Sequence, residues 1–221
     1  MNKYHHDVSE TAFMKALLKH TGIALALLVP LAAYSTFSHA ETGNMVTPAT
    51  AETTPHSVPS VDLNKYAGQW YEIARLPMYF QRNCASDVTA TYNLNQTDAG
   101  KIESVDVINQ CKKADGSMMS ATGIAKPANE SGSQLKVTFL PSWLRWLPVG
   151  KADYWVLALD EDYKSALVGT PDNKYLWILS RTPTLSQSTY DKYVNTAKIQ
   201  GYDVSKLEIT SHSGAAQTVT Q

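Results

Sequence analysis

The sequence predicts an all-β fold: an eight-stranded antiparallel up-and-down barrel, with one C-terminal α-helix packed outside it and a short final strand. Three observations predict it. From Gln69 onward, short runs rich in β-branched and aromatic residues recur, separated by turn residues. The runs on either side of Asn95–Gly100 alternate apolar and polar residues, as a hairpin with one buried face does. After Arg181 the apolar spacing switches from two residues to the helical period.

The strands are expected at Gln69–Leu76, Asp87–Leu94, Lys101–Gln110, Met118–Ala125, Gln134–Leu140, Ala152–Asp160, Ser165–Gly169 and Lys174–Arg181. Each joins the next by a short turn or loop, and eight such strands close around a lumen that holds one small ligand. Thr184 is the expected N-cap of the helix, whose apolar stripe is Leu185, Tyr190, Tyr193, Val194, Ala197 and Ile199, with Gly201 as the stop. Tyr202–Thr210 reads as the last strand and 211–221 as a disordered tail.

The hairpin is constrained further by its cysteines. A register that sets Cys84 opposite Cys111 also sets Val88 opposite Val107, Ala90 opposite Val105 and Tyr92 opposite Glu103. One face is then Val88, Ala90, Tyr92, Val105, Val107 and Asn109. A Cys84–Cys111 disulfide is expected to clamp the strand ends.

The N-terminal 40 residues read as a signal peptide. Lys15 and Lys19 precede an apolar run from Ile23 to Ala33, too short to span a bilayer, and Ser38-His39-Ala40 has the small-residue pattern of a cleavage site. Met14 is an alternative start. Residues 41–60, rich in Thr, Pro, Ala and Ser, read as a flexible linker, and the barrel domain as 61–210. No cysteine stands at the cleavage site to carry a lipid anchor, so a soluble periplasmic or secreted protein is expected. Two cysteines in an exported chain fit a disulfide.

Charge excludes one class of function. Lys and Arg number 19 against 20 Asp and Glu, with no basic excess for binding nucleic acid. Four of the six His precede residue 41, and His56 and His212 fall in the expected tails. That argues against a His-based catalytic triad or His-rich metal site. No enzyme, metal or cofactor is expected. Glu72 and Glu103 could face inward as hydrogen-bonded core groups.

Three short motifs stand in a fixed order. Gly68-Gln69-Trp70-Tyr71 opens the first strand, Asp162-Tyr163 lies at the turn between the sixth and seventh, and Arg181 ends the eighth. The set resembles the signature regions of the lipocalin family. The stretches "NKYAGQWYEIARLP" and "YLWILSRTPTLS" are similar to bacterial lipocalins and apolipoprotein D. Starts of odd strands and ends of even strands share one end of such a barrel, so the three motifs meet there. The resemblance implies that the Trp70 ring closes that end beneath the Arg181 guanidinium, which makes Gly68, Trp70, Asp162, Tyr163 and Arg181 structural.

Alternation places Val88, Ala90, Tyr92, Val105, Val107, Asn109, Leu135, Val137, Phe139, Tyr175, Trp177 and Leu179 on the inner wall. The resemblance likewise puts polar or aromatic pocket groups at Tyr92, Asn109 and Trp177. The open rim is expected at 77–83, 114–117, 141–151 and 170–173. The third of these carries Trp143, Leu144 and Trp146, with Arg145 and Lys151 beside them. So much apolar surface in a loop suits a lipid-contacting lip or lid at the mouth. A plug folded into the barrel and a dimer contact are the alternatives. The expected partner is a small hydrophobic lipid, a fatty acid or lysophospholipid, with transient contact to a membrane surface; the alternatives are a protein-interaction module using the Trp143/Trp146 loop and a lipid-modifying enzyme on the same barrel.

Overall fold

In the computed structural model, which describes residues 54–220, strand β1 (Gly68–Arg75) pairs with strands on both of its edges. The ladder runs β2 (Ser86–Gln96), β3 (Ile102–Lys112), β4 (Met118–Pro127), β5 (Gln134–Thr138), β6 (Lys151–Leu159), β7 (Ser165–Gly169) and β8 (Leu176–Ser180). Each strand is antiparallel to the next, and β8 returns to β1, so the sheet closes on itself. Closure leaves no free edge and gives every strand an inner and an outer face. A single turn of helix, α1 (Leu63–Tyr66), leads into β1.

The interior cluster includes Trp70, Tyr92, Val105, Val107, Leu135, Val137 and Leu179. A second cluster lies between the barrel's outer wall and helix α2 (Gln187–Ile199), joining Ile73, Ala74, Leu167 and Ile178 to Tyr193 and Ala197. A register shift between Glu72 and Ala74 on β1 lets Ile73 and Ala74 both join this outer cluster. Gly169 is where the segment after α2 meets the barrel: a Cβ there would lie 2.2 Å from the Tyr202 hydroxyl, which donates to the Thr170 carbonyl at 2.7 Å.

Several expectations are corrected. The cysteines do form a disulfide, with a Cα–Cα distance of 5.5 Å. The hairpin register is nevertheless different: Ala90 pairs with Asn109, Tyr92 with Val107 and Leu94 with Val105. Cys84 lies before β2, and a register shift between Ser86 and Thr89, with Asp87 in the left-handed region (φ 55°), separates it from the regular ladder. The helix is capped by Ser186, whose Oγ accepts from Thr189 N at 3.3 Å, and not by Thr184. The chain stays extended to Ser186 because β9 (Leu185–Ser186) pairs in parallel with β11 (Val219–Thr220). Leu185 thus precedes the helix, and Ile199, at its last turn, is 65% exposed and outside the stripe. Of Tyr202–Thr210, only β10 (Glu208–Ile209) is a strand, added to β1.

Within the described residues, neither flank of the barrel is a free tail. The signal-peptide reading of 1–40, and 41–53 of the linker, lie outside the described residues. Residues 54–60 pack along the barrel: Pro55 is buried, Val58 N donates to Val156 O at 2.8 Å, and Ser57 Oγ accepts from Gln134 Nε2 at 3.0 Å. At the other end the 211–220 segment is held by buried polar contacts. His212 is 6% exposed, and its Nε2 donates to Glu72 O at 2.7 Å. Ser213 Oγ donates to Asp87 at 2.6 Å, and Thr218 Oγ1 to Thr210 O at 2.7 Å. These bonds hold the Asp87 carboxyl below the usual carboxylate range, the Ser213 hydroxyl being the largest cause.

The disulfide closes a 27-residue separation across the hairpin. Replacing both cysteines by serine is expected to lower unfolding free energy by about 2–4 kcal/mol, read from urea denaturation at matched protein concentration.

Candidate functional site

One end of the barrel is sealed by side chains of α1, β1 and the residue that follows β8. The Trp70 ring is fully buried, and its Nε1 donates to the Tyr66 carbonyl at 2.8 Å. The Arg181 guanidinium lies 3.9 Å above that ring and donates to the carbonyls of Gln69 (2.8 Å), Lys65 (2.8 Å), Tyr66 (3.1 Å) and Tyr163 (3.2 Å). A cation over an indole face is worth roughly 0.5–2 kcal/mol, and each charge-assisted hydrogen bond adds to it. Gly68 sits at φ 93°, and a Cβ there would stand 3.4 Å from Arg181 Nη1. The turn between β6 and β7 divides its roles differently from the motif reading. Tyr163, at φ 59°, accepts from Asp62 N at 3.0 Å, while Asp162 is exposed and paired with Lys164. Asp160 is the carboxylate that ties the turn, accepting from Lys164 N at 2.8 Å and Ser165 Oγ at 2.7 Å.

Above the seal is a cavity of about 250 Å³, close to the lower end of ligand-pocket sizes, roughly 300 Å³. Every residue that alternation assigned to the inner wall lines it. Val88, Ala90 and Tyr92 come from β2, and Val105, Val107 and Asn109 from β3. Leu135 and Val137 come from β5, with Phe139 just beyond it. Tyr175 precedes β8, and Trp177 and Leu179 lie on it. The wall is chiefly aliphatic and aromatic, and it holds polar groups at two levels.

At the sealed end, the Tyr154 hydroxyl sits 2.8 Å from that of Tyr66 and 3.0 Å from that of Tyr92. Burial pushes all three phenols up, Tyr92 to about 12, so they stay neutral throughout the physiological range. Nearer the mouth, Glu72 is buried at 3% exposure. Its carboxylate accepts from Thr210 Oγ1 at 2.5 Å and Gln81 Nε2 at 2.8 Å, with Arg75 Nε at 3.6 Å. Gln81 Oε1 in turn accepts from Trp177 Nε1 at 3.2 Å. Burial raises the Glu72 pKa against the opposing pull of these partners.

The segment Tyr79–Cys84 crosses the mouth and lines the cavity, with the Phe80 ring 5.5 Å from that of Tyr175. Trp143, Leu144, Arg145, Trp146 and Lys151 do not line it. Their loop stands at the same end, with Trp143 69% and Trp146 77% exposed, and Arg145 Nε donates to Leu140 O at 2.9 Å. The plug alternative is therefore overturned, and the rim segment that lines the cavity at every position is Tyr79–Cys84.

Tyr66, Tyr154 and the Glu72–Gln81 pair were not singled out as site residues. Alternation could have found Tyr154, which faces Leu135 across the β5–β6 ladder. Tyr66 lies in α1, outside any strand pattern. His212, expected in a tail, is buried against Glu72. Glu103 is exposed. Among the described residues, no group of three or more His, Cys, Asp or Glu could hold a metal ion.

A closed eight-stranded barrel, sealed at one end by a Trp–Arg pair and hollow above it, defines a ligand-binding barrel of the lipocalin class. Residues 61–212 match the Lipocalin-like domain, and the chain belongs to the lipocalin family. It is 40% identical over 159 residues to temperature-induced lipocalin-1 of Arabidopsis thaliana, covering 71% of this chain and 82% of that protein. To the outer membrane lipoprotein Blc of Escherichia coli (strain K12) it is 37% identical over 185 residues, covering 81% and 94%. Among solved structures, insecticyanin of the tobacco hornworm Manduca sexta superposes with a TM-score of 0.55 at 26% identity, over 76% of this chain and 90% of that one. Proteins of this family bind or carry small hydrophobic ligands and are generally not enzymes. No helix among the described residues is long and apolar enough to cross a membrane.

Glu72 gives the barrel a pH dependence of defined sign. Its proton is held more tightly in the folded state, so its contribution to stability is full below the ordinary carboxylate range and is lost as pH rises through the raised pKa. The stability of Glu72→Gln relative to the parent is expected to increase as pH rises above the ordinary carboxylate range, about pH 4. Urea midpoints at each pH measure it, and a pH-independent difference would contradict the assignment.

Proposed function

We propose that the cavity binds a single-chain lipid, a fatty acid or lysophospholipid, and that the protein stores or transports it in the maintenance of membrane lipids, acting as a binder and not as an enzyme. The observation that carries this reading is the apolar cavity itself, blind at the Trp70 end and lined by aliphatic and aromatic side chains up to its mouth. An acyl chain there is held mainly by burial of area, near 25 cal/mol per Å². The inner-wall residues from Val88 to Trp177 are its contacts. The anionic head stays at the mouth, where water remains and where Arg145 and Lys151 stand on the neighbouring rim. The signal-like N-terminus supports a soluble periplasmic or secreted location. The test is native mass spectrometry of protein purified from its own compartment, with a solvent extract analysed in parallel. A bound lipid of single-chain mass is expected, and protein without lipid that also fails to take up added fatty acid would refute the reading.

The exposed pair Trp143 and Trp146 favours a role beside the mouth. Indole rings settle at membrane–water interfaces, so this loop is assigned a transient contact with the membrane surface from which the ligand is taken. Trp143→Ser together with Trp146→Ser is expected to lower vesicle co-sedimentation several-fold while moving unfolding free energy by no more than about 0.5 kcal/mol. A fall in stability without loss of vesicle binding would turn the loop into a structural element.

A further inference from the structure

The hydroxyls of Tyr66, Tyr154 and Tyr92 form a chain at the blind end of the cavity, with Tyr154 in the middle. Three hydroxyls carry three protons, but the chain contains only two O···O contacts, and each contact consumes one proton. Whichever way the chain runs, one O–H is left over. If Tyr66 donates to Tyr154 and Tyr154 to Tyr92, the free proton is on Tyr92; reversed, it is on Tyr66; if both outer phenols donate inward, it is on Tyr154. The aromatic surroundings do not take it up: Trp70 Nε1 is a donor already spent on the Tyr66 carbonyl, and Arg181 is a donor spent on backbone. Neutral phenols with strongly raised pKa values keep all three protons in place.

A buried donor without an acceptor is costly, and an apolar chain end seated on this floor would leave it so. We infer that the Tyr66–Tyr154–Tyr92 chain is a polar subsite at the blind end of the cavity, and that it selects ligands whose leading end carries a neutral oxygen acceptor such as a hydroxyl or carbonyl. The subsite deepens the lipid-binding reading and rests on it. An anionic group is disfavoured there, because one neutral donor does not replace the hydration of a charge, and the Arg181 guanidinium lies behind the Trp70 ring, committed to four carbonyls. The ligand class is therefore an elongated apolar molecule oxygenated at the end remote from its head group.

Two probes of equal chain length separate the possibilities: hexadecanoic acid and 16-hydroxyhexadecanoic acid, titrated against the full chain by Trp fluorescence. The hydroxylated probe is expected to bind about three- to tenfold more tightly, the yield of one hydrogen bond. In the variant carrying Tyr66→Phe, Tyr92→Phe and Tyr154→Phe together, which removes every hydroxyl of the chain, the ratio of the two affinities is expected to fall to about one. Should that variant fail to fold, 16-methoxyhexadecanoic acid, whose remote end accepts but cannot donate, is the second measurement and is expected to bind the parent more tightly than hexadecanoic acid. Equal affinity of the parent for both probes overturns the subsite but leaves the lipid-binding reading standing. A preference that survives in the triple variant, or a methoxy probe that binds no more tightly than hexadecanoic acid, overturns it too. Failure of both probes to bind overturns the subsite and the lipid-binding reading together.

Discussion

The pairing of β8 back onto β1 is the constraint from which the rest of the molecule follows. An open sheet of these strands would present an edge and could bury an inner face only against another layer. Closing it converts that face into a lumen. The Trp70–Arg181 contact then decides which end is blind. The ring fills the bottom, and the guanidinium ties backbone from α1, β1 and the β6–β7 turn above it. A seal made this way leaves the lumen above it hollow, so stability and ligand capacity draw on separate parts of the same barrel. The outer cluster under α2 supplies a second packed region that does not compete for the cavity.

The inner face was legible from residue type, although the strand pairing was not. The expected hairpin register differs from the observed one by four residues, with Val107 opposite Tyr92 and not Val88. Side chains alternate with a period of two, so an even slip leaves every residue on its proper face. That is why Val88, Ala90, Tyr92, Val105, Val107 and Asn109 line the cavity despite the wrong partners. The error came from treating the cysteines as ladder positions, when Cys84 stands beyond the irregular stretch at Asp87.

Polar tethers were the less legible part. His212, Ser213 and Thr218 read as a tail because hydropathy patterns register apolar spacing only. They are ordered through hydrogen bonds to Glu72, Asp87 and Thr210, residues more than a hundred positions upstream in the first two cases. The same blindness hid Tyr66 and the Gln81 bridge between Glu72 and Trp177, whose meaning lies in partners distant in the chain. Of the expected rim segments, the Trp143–Trp146 loop was conspicuous in composition, while the quieter stretch Tyr79–Cys84 is the one that lines the cavity at every position.

Cys84 is the downstream end of that crossing stretch, and its sulfur is bonded to Cys111 on β3. Upstream, Leu76 N is fixed to Leu176 O at 3.0 Å. The chain between these two anchors is short, since positions 77–83 span at most about 25 Å when fully extended. That stretch is consequently tethered three times over, covalently at Cys84, through backbone at Leu76 and by the Gln81 side chain, which joins Glu72 to Trp177.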